Sequence, residues 1–422
     1  MKILALSLFL LTYVLLLVLP QKRAYIALAS AACFILTGII PLSKAFFAVD
    51  WNVIMMIAGT MGIVSLFIRS KMPALLADII IAHMPNVKWA IISLSLFAGF
   101  ISAFVDNVAT VLMVAPVALT ISKKLKISPV PSIIAIAIAS NLQGAATLVG
   151  DTTSILLGGY AGLDFLDFFF FQGKPGMFWV VQLGALASPL VLLVQFRKES
   201  QSVSSSDRTV VENYFPSVLL LLTIVLLICA SFLSEKPAIT NGLICMGLMT
   251  IGIIWAVLNT KDFSVVRETI MEIDFFTLLL LSGLFVVIGG ITEAGVVADI
   301  AKVFVSISGD NLFIIYTLLV WASVFFSAFI DNIPYIATML PVTASIATLM
   351  GVDPYLLYFG LLTGATLGGN LTPIGASANI TALGILRKDG YEVSVKTFMK
   401  LSVPFTLAAV TTGYALIWLL WS

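Results

Sequence analysis

Ser102-Ala103-Phe104-Val105-Asp106-Asn107 returns almost unchanged as Ser327-Ala328-Phe329-Ile330-Asp331-Asn332, and each copy sets a carboxylate inside a long apolar run. A charged side chain at the centre of a bilayer costs at least about 2.5 kcal/mol, so an ionisable residue kept there points to function. Two of them in matched settings point to one motif used twice.

The surrounding composition places these runs in a membrane. Of the 422 residues, 60% are hydrophobic and 10% charged, with a mean hydropathy of +1.13, outside the balance of a soluble domain. Cys33, Cys229 and Cys245 lie in separate apolar runs and have neither disulfide-framework nor thiolate-metal spacing. His83 is the single histidine and reads as a loop residue. Met1 to Leu19 could pass for a signal peptide, but Val18-Leu19-Pro20 offers no small-residue cleavage site, so the segment reads as the first span.

Apolar stretches long enough to cross about 30 Å of hydrocarbon run near 3–19, 24–41, 51–68, 131–158 and 176–196, then near 215–233, 239–257, 274–292, 355–385 and 398–420. Two further segments, 89–122 and 311–348, are too long for one ordinary helix, since 34 residues of helix measure about 51 Å. Each carries its Asp-Asn pair near the middle and reads as a helical hairpin. The chain therefore predicts an all-α polytopic fold of about 10 transmembrane helices plus two hairpins.

Repeats are sought first in such a chain. Asp106 and Asp331, Pro116 and Pro341, and Gly150 and Gly375 are all 225 residues apart, so one register covers a hairpin and the helix after it. The polar segment 197–213 is the linker, dividing a first repeat over 1–196 from a second over 214–422. With Gln21-Lys22-Arg23 cytoplasmic, 17 of the 22 Lys and Arg residues fall inside and Lys2, Lys44, Lys174, Lys236 and Lys302 outside. Both termini are then external, the two hairpins enter from opposite sides, and the halves form inverted-topology repeats of the kind found in secondary transporters.

Gly, Pro and hydroxyl residues crowd Asn141 to Ser154 and, in register, Gly368 to Asn379, predicting unwound centres in the helices over 131–158 and 355–385. Irregular backbone at membrane depth is tolerated where it is buried or lines a cavity, and matched breaks in two halves point to the binding site. Plain N-capping by Asp106 and Asp331, and plain helix packing by the glycines, are the alternatives. Asp151 has Ala376 as its counterpart, so the halves are chemically unequal. Asp50 and Asp274, which open paired spans, read as N-caps. The aromatic segment from Asp164 to Phe171 reads as an interfacial anchor.

SAFVDNVATVLMVAPV (102–117), SAFIDNIPYIATMLPV (327–342) and GATLGGNLTPIGASANITALG (364–384) resemble the ion transporter superfamily. Within it the likeness is to the branch of the P protein and the arsenite permeases, with NhaD-type sodium/proton antiporters carrying similar Asp-Asn motifs. The chain thus resembles proteins with a citrate-transporter-like domain, although Asp106-Asn107-Val108 and Asp331-Asn332-Ile333 stand where sodium/dicarboxylate carriers have Ser-Asn-Thr. GDTTSI at 150–155 also departs from the Gly-Asp-Pro-Pro-Asn often found in relatives. The resemblance implies re-entrant hairpins meeting near the midplane, a homodimer and elevator-like alternating access.

The expected function is a secondary active transporter in the plasma membrane. It would move a small anion or metalloid oxyanion, with Na⁺ or H⁺ as coupling ion and no other cofactor. Asp106 and Asn107 with Gly144, Thr147 and Gly150 would form one cation site, and Asp331 and Asn332 with Gly369, Thr372 and Gly375 the other. Asn107, Thr110, Asp151, Thr152, Asn332, Ser377 and Asn379 would touch the substrate, an anion using helix N-termini because no Arg or Lys is expected in the core. Sodium/proton exchange without an organic substrate is the runner-up. A passive channel and an intramembrane aspartyl protease are further rivals; Leu148-Val149-Gly150-Asp151 lacks the first glycine of the protease motif. No nucleotide fingerprint appears, and the partners expected are lipid and a small solute rather than nucleic acid.

Overall fold

The computed structural model describes residues 1–197, 199–202, 209–211, 213–233 and 235–422. Part of the linker read at 197–213 therefore lies outside the described residues. Its described parts are docked: Val87 N and Lys88 N donate to Gln201 O and Glu199 O, and Thr209 donates from both N and Oγ1 to Asp78.

The described chain is almost entirely helical, in two sets of ten. The first holds α1 (Lys2–Val18), α2 (Arg23–Leu36), α3 (Leu42–Ala48), α4 (Trp51–Arg69), α5 (Met72–Ala82), α6 (Val87–Ser102), α7 (Asn107–Leu125), α8 (Val130–Gln143), α9 (Thr152–Ala161) and α10 (Met177–Gln195). After it come α11 (Phe215–Ser231), α12 (Thr240–Thr260), α13 (Ser264–Met271), α14 (Phe275–Glu293), α15 (Val296–Ser308), α16 (Leu312–Ser327), α17 (Asn332–Met350), α18 (Tyr355–Gly368), α19 (Ser377–Lys388) and α20 (Val395–Trp421).

Seven of the described helices are long and apolar enough to cross a membrane. Two further apolar pairs, α1 with the 20–36 segment and α15 with α16, are bent by 115° and 118°, and the total is nine if each pair counts as one span. The chain is an integral membrane protein. The apolar run expected over 24–41 is a helix only to Leu36; a turn at Thr37 and Gly38 and then Pro41 redirect it into the short α3.

Packing repeats with the helix order. α6 lies along α8 as α16 lies along α18, and α4 pairs with α12 as α14 pairs with α2. The latter two pairs approach backbone to backbone. A Cβ on Gly59 would fall 2.5 Å from Cys245 C, and one on Gly283 would fall 2.6 Å from Ala27 C. Small residues at a crossing let helices gain dispersion contact where apolar burial from water contributes little. α10 and α20, which hold the same place in each set, pack against each other.

Outside the helices, Phe170–Phe171 and Lys174–Pro175 pair as a short antiparallel β-ribbon. Its Phe171 lies 6.0 Å from the Trp421 ring, whose Nε1 donates to Pro175 O. The aromatic segment thus clasps the end of α20.

Candidate transport site

Both hairpins turn in the same way. α6 ends at Ser102, four residues form the tip, and Asp106 caps α7 by accepting from Val108 N and Ala109 N at 3.0 and 3.1 Å. α16 ends at Ser327, and Asp331 caps α17 by accepting from Ile333 N at 3.2 Å. Capping is therefore one role of both aspartates. Asp50 and Asp274 likewise cap α4 and α14.

The unwound centres fall where the residue chemistry places them, and in register. α8 stops at Gln143, a 3-10 turn covers Gly144–Ala146, Thr147 is extended and α9 starts at Thr152. In the second half α18 stops at Gly368, a 3-10 turn covers Gly369–Leu371, Thr372 is extended and α19 starts at Ser377. Thr147 Oγ1 donates to Ala103 O and Thr372 Oγ1 to Ala328 O, so each break is tied to its own hairpin tip.

At each tip three carbonyl oxygens converge on a glycine. A Cβ on Gly150 would lie 2.7, 2.8 and 2.9 Å from Gly144 O, Ala103 O and Ser102 O. One on Gly375 would lie 2.6, 2.7 and 2.9 Å from Gly369 O, Ser327 O and Ala328 O. Only glycine fits against those oxygens. Two oxygens of each set already accept a side-chain hydrogen bond, Gly144 O from Ser154 and Ala103 O from Thr147, Gly369 O from Asn379 and Ala328 O from Thr372. These carbonyls therefore brace the turn and are also the kind of oxygen donor a hard cation takes.

Between the two tips lies a cavity of about 130 Å³. Asp106, Asn107, Asp151, Thr152, Asn332 and Ser377 line it, joined by Glu272 and Asp274. Asp151 accepts from Thr152 N at 2.9 Å and Thr153 Oγ1 at 2.8 Å, and Asn332 Nδ2 stands 3.5 Å from it. The first residues of α7, α9, α17 and α19 all face this space, so four helix N-termini meet there. Three carry an aspartate cap; α19, preceded by Ala376, has no side-chain cap.

Other expected contacts lie elsewhere. Thr110 is fully buried with its hydroxyl 3.5 Å from Val105 O, and Asn379 Nδ2 donates to Gly369 O and Thr372 O. Neither lines the cavity. Asn379 instead braces the second break.

The expectation that no Arg or Lys reaches the core is overturned. Arg23 Nη1 lies 3.1 Å from Asp331 Oδ2, with the two side chains 14% and 9% exposed. A 115° bend between α1 and α2 carries Arg23 to the second tip rather than leaving it in a solvated loop. Nearby, Tyr13 in α1 donates to Pro334 O at 2.8 Å and bonds Thr338, bracing α17. Glu272 and Asp274 also line the cavity, and Asn141 pairs with Asn370 between the two breaks, which no motif in the sequence marks. The sequence signal for Asp274 was a cap signal, which says nothing of the side its carboxylate faces.

A second cavity of about 730 Å³ lies among α3, α9, α14 and α17, with Lys44, Asp50, Tyr160 and Glu293 on its walls. α4 runs from this cavity at Asp50 to the first one at Ser65 and Ile68, whereas α14 runs from the first at Asp274 to the second at Glu293. Equivalent helices of the two sets therefore run in opposite senses between the same two cavities.

Such an architecture, apolar spans around paired hairpin tips and broken helices, defines a membrane transporter rather than an enzyme. Residues 13–364 match the CitMHS family of citrate transporters, and the chain belongs to that family. It is similar to an uncharacterized transporter of Mycobacterium tuberculosis, 30% identical over 430 residues and covering 99% of both chains. It is 27% identical to the P protein of Mus musculus, covering 92% of this chain and 56% of that protein. Among solved structures the YdaH transporter of Alcanivorax borkumensis shares the fold, with a TM-score of 0.60, 13% identity, and coverage of 89% of this chain and 86% of that one.

Proposed function

We propose that this protein is a Na⁺-coupled secondary transporter of two inverted repeats, over 1–196 and 214–422, joined by the linker at 197–213. It would work as a homodimer in the plasma membrane with both termini external. The observation that carries the reading is the pair of carbonyl nests at Gly150 and Gly375. Backbone carbonyls gathered at both tips are oxygen ligands of the kind an alkali cation takes, and this reading takes Na⁺ as the coupling ion. Asp106, Asn107, Gly144, Thr147 and Gly150 would hold the first cation site. Asp331, Asn332, Gly369, Thr372 and Gly375 form its counterpart.

The solute would occupy the cavity between the tips, touching Asn107, Asp151, Thr152, Asn332 and Ser377. A small anion or oxyanion, with citrate the first candidate from the family's name, finds the uncapped N-terminus of α19 there. It also meets Asp106, Asp151, Glu272 and Asp274, and among the described residues no basic side chain lines the space. Binding of an anion therefore requires a cation bound beforehand. Movement of the hairpins and broken helices against α4 and α14 would expose the site alternately towards the two cavities. The opposite sense of α4 and α14 supports this elevator-like scheme.

The same four carboxylates favour a second reading, sodium/proton exchange without an organic solute. Proteoliposomes under an imposed Na⁺ gradient separate the two. Accumulation of citrate or arsenite against its gradient supports the first, solute-free alkalinisation of the lumen on external Na⁺ addition supports the second, and no gradient-driven movement of either kind overturns the coupling assignment.

A further inference from the structure

The two hairpin tips share a backbone but not a charge. In the first half Asp106 and Asp151 both line the cavity, and among the described residues no Lys, Arg or His lines that space. In the second half the position of Asp151 is held by Ala376, and Asp331 is bonded to Arg23. Arg23 is also fixed from its other side, Nε donating to Leu16 O at 3.2 Å. Asp331 Oδ2 is shared with Ser377 Oγ at 3.4 Å, and Asp331 itself does not line the cavity. A guanidinium cannot be discharged in a protein, and its planar fork loses little freedom when it is held.

From this we infer that Arg23 is a tethered counter-cation for the second tip, so that the exchangeable cation is carried by the first half alone, one per chain. The inference rests on the Na⁺-coupled reading above. Asp331 needs a positive partner as Asp106 does, and Arg23 supplies it permanently. A mobile cation at the second tip would face that fixed charge at close range. The first tip has two carboxylates on the same cavity, Asp106 and Asp151. Arg23 also joins the α1–α2 bend to the tip of the second hairpin, making it a positioning residue for α17.

Equilibrium binding of radioactive Na⁺ to the purified full-length protein counts the sites directly. The wild type is expected to bind one Na⁺ per chain, Arg23→Gln two, Arg23→Lys one, and Arg23→Gln/Asp331→Asn one. Loss of the wild-type site in Asp106→Asn places it in the first half. Two sites in the wild type, or a folded Arg23→Gln that still binds one, overturns the inference while leaving Na⁺ coupling intact. No Na⁺ bound by a folded wild type overturns the coupling reading itself. If Arg23→Gln fails to fold, the wild-type count and the charge-neutral double variant still decide. A merely structural Arg23 would alter stability without changing the number of sites.

Discussion

The side-chain amide of Asn141 donates to the carbonyl oxygen of Thr366 at 2.7 Å, and the two residues are 225 positions apart, the spacing that relates the repeated motifs. Each is thus bonded to its own counterpart. The same amide reaches Asn370 Oδ1 at 3.1 Å, Asn370 Nδ2 donates to Ile138 O at 2.8 Å, and Asn107 Nδ2 donates to Asn141 Oδ1 at 2.9 Å. Asn141 and Asn370 are fully buried, so this network holds the two broken helices together. A buried polar group stripped of its partner costs about 1–3 kcal/mol. Asn141→Ala and Asn370→Ala should each lower the melting temperature of the detergent-solubilised protein, Asn141→Ala more because it strands more partners. Equal melting temperatures for Asn141→Ala and wild type would contradict the network's role.

Filling either carbonyl nest tests its use. A methyl group at Gly150 or Gly375 must displace three backbone oxygens, and overpacking of this kind costs about 1–3 kcal/mol. Gly150→Ala should abolish Na⁺-driven flux at a modest cost in stability. Gly375→Ala should destabilise as much and spare more of the Na⁺ affinity, as read by titration of each purified variant.

The ion pair separates the two aspartates in stability. Removing one partner of a buried pair typically costs about 3–5 kcal/mol because the other charge is left uncompensated. Asp331→Asn strands Arg23 in this way, whereas Asp106→Asn removes only a cap that asparagine itself fills well. Thermal unfolding should therefore be markedly earlier for Asp331→Asn than for Asp106→Asn, and Arg23→Gln/Asp331→Asn should recover most of the difference. Equal unfolding of the two single variants would show that the pair contributes little.

Order of binding follows from the charges on the cavity wall. An anionic solute opposed by Asp106, Asp151, Glu272 and Asp274 should bind measurably only when Na⁺ is present. Calorimetric titration with citrate, run with Na⁺ and with a large organic cation in its place, checks this. Equal affinity in both would exclude cation-first binding.

Accessible thiols report the orientation. In a background lacking Cys33, Cys229 and Cys245, Lys71→Cys and Lys261→Cys should be shielded in intact cells from a membrane-impermeant reagent that labels Lys44→Cys and Lys236→Cys. The reverse pattern would invert the topology.

Much of this arrangement could be read from the residues because it is local and repeated. A constant spacing exposed the register, and Gly, Pro and Thr at high density marked the breaks, since those residues weaken a helix wherever they collect. Arg23 escaped because its partner is 308 residues away and its neighbours Gln21 and Lys22 give it the look of a surface loop. Counting positive charges cannot distinguish a solvated arginine from one folded back by a bend. Thr110 and Asn379 have the polar chemistry and the position of solute contacts, and the fold also uses that chemistry on its own backbone. Glu272 and Asp274 precede a span and look like a solvated helix start, yet the fold seats that start beside the first hairpin tip.

Ala376 has φ −142° and ψ 144°, and Asp151 has φ −149° and ψ 155°. The second break thus already has the shape in which the first one seats its aspartate. Divergence between the halves required no remodelling of the main chain: a duplicated segment could specialise by exchanging side chains on an inherited frame. Ala376→Asp should accordingly be accommodated without distortion, which makes this position a natural place to re-engineer how the halves divide their labour.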